Sequence, residues 1–144
     1  MPRRSRRAGR ERPVVTQPEG PVLVVCRGGD CGNRTLFPGT DHVGQLRALR
    51  AGVAGTSASV LTSPCLDACE HANVVVALPG RAGRERGGEP VWVGGVLDPA
   101  VTDELVAWVA AGGPAVAEPP VLVDIARVRP SRQSRQELDE VLEG

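Results

Sequence analysis

The sequence predicts an α/β protein with a mixed, four-stranded sheet, two main helices and flexible tails. Three observations carry this. Apolar runs without alternation at residues 22–25 and 74–78 suit strands buried on both faces. Two stretches of helical period follow residues suited to capping. The elements run strand, helix, strand, strand, strand, helix, so the first two strands are expected to lie parallel across a right-handed crossover. At 144 residues the chain makes one domain with length to spare for tails.

The first 20 residues stand apart. They hold six arginines between Arg3 and Arg12, with prolines at 2, 13 and 18. So little apolar surface reads as a disordered basic tail, residues 1–20, ahead of a domain at 21–112. No apolar core of a secretory signal follows the arginines, so the expected location is a reducing cytoplasm, where structural disulfides are rare. Net charge is zero and no apolar run reaches the length of a membrane span. Aromatic residues are limited to Phe37, Trp92 and Trp108, too few for base-stacking platforms. Neither membrane nor nucleic acid is expected as a partner, and a homodimer stays open.

Order is expected from Pro21. The first strand ends at Cys26, and the Gly-rich stretch 27–33 reads as loop. Thr40 or Asp41 can cap a helix carrying Val43, Leu46, Ala48, Leu49 and Val53, ending near Gly52. Residues 57–61 read as a short second strand and 74–78 as a central third. Residues 79–90 are a polar, Gly-rich hairpin connection, and 91–96 form the fourth strand. Gly94 and Gly95 inside that strand point to a bulge or a close approach. Asp98 and Pro99 open the second helix, with Val101, Leu105, Trp108 and Val109 along one stripe; Gly112, Gly113 and Pro114 stop it. In the C-terminal extension, 113–144, residues 121–125 read as an edge strand or an arm, and 136–142 as a short helix.

All four cysteines come as two tight pairs, Cys26 and Cys31 in CRGGDC and Cys65 and Cys69 in CLDAC, 33 residues apart. Four soft thiolates in two loops suit a metal centre, with two thiolates for each iron of a [2Fe-2S] cluster. Neither pair is the C-x2-C of zinc knuckles or of thioredoxin-type dithiols, and neither fits the plant-type ferredoxin run. Structural zinc and simple thiols or a disulfide remain as alternatives. Glycines around the first pair can supply backbone N–H groups to sulfur. His71, two residues past Cys69, reads as a neighbour of the site or plain surface. Arg27, Arg34, Asp30, Asp67 and Glu70 read as solvated loop charge, with partner docking second. No Ser-His-Asp group, nucleotide fingerprint or acid–base pair is present, so no enzymatic chemistry is expected.

The C-x4-C and C-x3-C pairs, the C-L-D-A-C stretch and the Trp92 strand followed by a helix resemble the thioredoxin-like [2Fe-2S] ferredoxins. That family includes the ferredoxin-like small subunit of respiratory complex I and its hydrogenase relatives. The resemblance covers roughly residues 21–112. Asp67 stands where the family usually has Gly, and Asn73 where Pro often follows. It implies a thioredoxin-like sheet, with Cys26 and Cys31 on one iron and Cys65 and Cys69 on the other. It further implies a one-electron carrier serving a redox partner protein, a reductase or an oxidoreductase subunit. The contrasting class is a metal-stabilised (Fe-S or zinc) regulatory or binding module without electron transfer.

Overall fold

The computed structural model describes residues 18–143. In chain order its elements are β1 (Val22–Cys26), α1 (His42–Val53), β2 (Ser59–Ser63), β3 (Val75–Leu78), α2 (Arg81–Glu85) and β4 (Val91–Val93). Then follow α3 (Pro99–Ala110), α4 (Val121–Ile125), β5 (Arg127–Val128) and α5 (Arg132–Glu143).

The protein is α/β, with a mixed sheet of five strands in the order β2-β1-β3-β4-β5. β1 pairs parallel with β2, in register Val22 with Ser59, and antiparallel with β3. The remaining pairs are antiparallel. The unbroken apolar run of β1 is explained by burial on both faces. Leu23 and Val25 enter one core, and Val22, Val24 and Cys26 the other, as the period of two requires.

The first core packs the sheet against α1 and α3 through Leu49, Val53, Leu105, Trp108 and Val109. Each such side chain contributes about 1.5–3 kcal/mol when fully buried. Both helices begin at the expected caps: the Asp41 carboxylate accepts from Gly44 N and that of Asp98 from Ala100 N. The second core joins Val24, Val76 and Trp92 to Cys26, Cys31, Leu66, Ala68, Ala72 and Val74, and Leu138 of α5 covers it. The cysteine loops therefore sit on the sheet face opposite α1 and α3.

Several expectations are corrected. The sheet has five strands rather than four, because Arg127 and Val128 add an edge to β4. β2 lies two residues later than expected, at Ser59–Ser63. β4 stops at Val93: Gly94 N donates to Ala126 O, and a Cβ on Gly94 would lie 2.9 Å from the His71 Cβ. That is the close approach its glycines signalled. The 79–90 connection contains helix α2. Residues 121–125 are helical, not a strand, because Glu104 Oε1 accepts from Leu122 N at 2.8 Å and Val123 N at 3.2 Å. The C-terminal helix spans twelve residues.

The buried stripe of α1 keeps Leu49 and Val53 but differs in its first two turns. His42, Gln45, Leu49 and Val53 face inward, while Val43 is 64% exposed. Pro18, Glu19 and Gly20 belong to the packed body: Arg81 N donates to Glu19 O at 2.7 Å and the Arg84 guanidinium to Pro18 O at 3.1 Å. Residues 1–17, most of the expected tail, lie outside the described residues. Among the described residues no helix is long and apolar enough to cross a membrane.

Candidate metal centre

β1 delivers Cys26 to the end of the sheet, where its N–H donates to Val74 O at 3.1 Å and Arg27 N to Ser63 O at 2.9 Å. The chain then turns back on itself, with Cys31 N donating to Gly28 O at 3.1 Å. This loop lies directly on the second pair. A Cβ on Gly28 would fall 2.4 Å from Cys65 N, and one on Gly29 would fall 2.8 Å from Cys69 Sγ and 3.3 Å from Cys65 Sγ. Only glycine permits that approach, and Gly29 also has φ +59°.

The second loop is anchored by Leu66, which is wholly buried. Asp67 follows with φ +58°, and Cys69 opens a single 3₁₀ turn, Cys69–His71. The Cys65 and Cys69 sulfurs stand 3.6 Å apart. The loops meet again where the Cys26 thiol points at Pro64 O, 3.6 Å away. Backbone N–H groups are aimed at sulfur at two points: Val74 N to Cys31 Sγ and Asp67 N to Cys65 Sγ, both 3.3 Å. All four cysteines are free thiols. The first pair is buried and the second half-buried. The structure thus lays the loop of Cys26 and Cys31 against the loop of Cys65 and Cys69.

The electrostatics divide the first pair. A hydrogen bond from Cys31, the largest influence, lowers the Cys26 thiol from 9.0 to about 6. Burial opposes the shift, while backbone hydrogen bonds at Gly28 and Leu66 and the Arg27 charge favour it. Cys31 moves far upward, first through that same hydrogen bond and then through burial. For Cys65 the strongest single influence, the Asp67 hydrogen bond, lowers it, yet burial and the neighbouring Cys69 together leave it raised. Burial lowers the Arg27 guanidinium, and the charges of Cys31 and Cys26 counter this. Among the described residues, no three His, Cys, Asp or Glu side chains converge closely enough to hold one ion. The donors come as pairs.

A buried polar network, absent from the sequence reading, holds the two loops in place. Asn73, fully buried, accepts from Gly32 N at 2.8 Å and donates to His42 Nδ1 at 3.0 Å. His42 Nε2 in turn donates to Phe37 O at 3.3 Å, which sets its tautomer. Gln45 receives Arg27 on its carbonyl at 2.8 Å and donates to Val96 O at 2.9 Å. Ser134 of α5 donates to Asp67 O at 2.9 Å. A signal for the helix residues was available, since polar His42 and Gln45 occur at the i, i+3 spacing of one face with Leu49 and Val53. His71 sits beside Glu70, Nε2 to Oε2 3.8 Å, with its side chain 38% exposed.

Compared with protein-family models, with curated proteins and with solved structures, the chain matches none.

Proposed function

We propose that this protein is a one-electron carrier holding a single [2Fe-2S] cluster on Cys26, Cys31, Cys65 and Cys69, in a thioredoxin-like domain of the cytoplasm. It would serve a redox partner protein and have no substrate chemistry of its own. The observation that carries the reading is the placement of four free thiols, as two pairs in two touching loops, at one end of the sheet. The donor chemistry fits: two thiolates per iron need paired donors rather than three ligands around one ion. When bound, such a cluster supplies reversible gain and loss of one electron.

The chain's own residues provide the setting. The N–H groups of Val74 and Asp67 point at sulfur, where they would stabilise added negative charge. Arg27 lies beside the first pair and lowers the Cys26 thiol, offsetting part of the thiolate charge. Leu66, Val74, Trp92 and Leu138 shield the inner side of the loops from water. The half-buried second pair marks the edge at which a partner can approach.

The deciding experiment is anaerobic purification followed by iron, sulfide and zinc analysis with visible spectroscopy. Two irons and two sulfides per chain are expected, with a red-brown absorption that bleaches on reduction. Cys26→Ser and Cys65→Ser should each lose that absorption. A colourless protein containing zinc would replace this reading with the metal-stabilised binding module.

A further inference from the structure

The outer face of α1 and the loop carrying Arg34 enclose an open groove of about 740 Å³. Among the described residues four arginines line it, Arg27, Arg34, Arg47 and Arg50, and no carboxylate does. Its floor is apolar, formed by Val43, Leu46 and Ala51. Val43, Leu46, Arg47 and Arg50 recur at the spacing of one helical face, so the strip is continuous. In a chain of zero net charge, this is a strong local segregation of cations. Among the described residues, the arginine ion pairs lie elsewhere, between Arg81 and Glu19 and Glu85 and between Arg127 and Asp124. Arg34, Arg47 and Arg50 are exposed, and among the described residues none has an acidic neighbour within salt-bridge distance. Arg27 is held in place by Gln45 and by the carbonyls of His42 and Cys26.

We infer that this groove is a docking site for an acidic protein segment, its carboxylates on the four guanidinium groups and its apolar side chains over Val43 and Leu46. Charge complementarity selects the occupant. A protein segment suits cations strung along an open groove better than a small anion, which would need them gathered around one point. The position gives the site its use. Gly32 lines the groove next to Cys31, and Gly29 of the same loop touches the Cys65 and Cys69 sulfurs. A segment seated there lies against Arg27 and Gly32, the chain neighbours of Cys26 and Cys31. That it belongs to the redox partner rests on the carrier reading above; the binding itself does not.

The test uses the full chain and fluorescent decaglutamate at low salt, read by anisotropy. Arg47→Gln combined with Arg50→Gln should weaken binding about tenfold, the sum of two exposed ionic contacts. Arg86→Gln combined with Arg129→Gln removes the same charge from exposed sites outside the groove and should leave binding unchanged. Val43→Asp should weaken it as well, and added salt should abolish the difference between the variants. Equal losses in the two double variants would overturn the site, leaving only a response to net charge. Displacement of the peptide by equimolar inorganic pyrophosphate would also overturn it, in favour of a small-anion site. Visible absorption is recorded on the same samples. Peptide binding through Arg47 and Arg50 without a chromophore leaves the docking site standing and the carrier reading lost. A chromophore with binding indifferent to these arginines gives the reverse.

Discussion

Asp67 holds a backbone conformation, φ +58°, that glycine enters without steric cost and an L side chain does not. Its backbone is committed at both ends, N–H to Cys65 Sγ and C=O to the Ser134 hydroxyl. Asp67→Gly relieves strain of about 1 kcal/mol and loses a similar amount to the freer unfolded chain. Its urea midpoint should therefore match that of the wild type. Asp67→Val, β-branched at positive φ, should cost about 1–2 kcal/mol. A neutral valine variant would show that the loop does not hold this conformation in solution. Cys26 offers a second measurement, on the metal-free chain. An acid whose folded value is depressed stabilises the fold when ionised. Its contribution is complete above 9.0, shrinks as pH falls from 9.0 to about 6, and is gone below that. Cys31 is raised by the same hydrogen bond and keeps its proton through the window. Thiolate absorbance should thus show a step near pH 6 that Cys26→Ser removes. A first rise only above about pH 8 would contradict the pairing.

At the scale of elements, α5 converts the C-terminal extension into a cover for the cysteine face. Ser131 caps it by accepting from Ser134 N at 2.9 Å, and the Ser134 hydroxyl continues to Asp67 O. Leu138, 3% exposed, completes the second core beside Leu66 and Trp92. Leu138→Ala should cost about 2–4 kcal/mol, and Trp92 fluorescence should shift to the red as water reaches the sheet. Ser134→Ala leaves the Asp67 carbonyl short of a partner and should cost about 1 kcal/mol. Unchanged melting and fluorescence in the leucine variant would show that α5 does not seat there.

At the scale of the whole molecule, Asn73 connects the pieces. It lies just before β3, yet it bonds the Cys31 loop through Gly32 and the first turn of α1 through His42. The two cysteine pairs are distant in sequence, and their relative position depends on such links together with the glycine contacts. Asn73→Ala leaves a buried N–H and a ring nitrogen unpaired, for about 1–3 kcal/mol each. The expected result is a lower melting temperature together with, on the cluster reading proposed above, reduced iron content after reconstitution. Asn73→Asp keeps the acceptor for Gly32 N and should lose less iron than the alanine variant. Full iron content in the alanine variant would mean that the loops are aligned without this residue.

The sequence by itself determined the α/β class, β1, β3 and the two capped helices, since each rests on local signals: an apolar run, a period, a cap. It also determined that the cysteines come as two pairs. Tertiary structure alone decided what those local signals leave open. The VLVDI stretch has strand composition, yet the Glu104 carboxylate, remote in sequence, receives its first N–H groups and makes it a helix. The α1 stripe looked apolar by content; Leu49 and Val53 are buried as expected, but the other two buried positions went to His42 and Gln45, whose polar atoms find partners on other loops. Neither outcome can be read locally, because the partner that satisfies a buried polar group or a helix end is chosen by the fold. The same holds for the thiols. Their number and spacing are written in the chain, whereas contact between the pairs comes from Gly28 and Gly29 lying on Cys65 and Cys69.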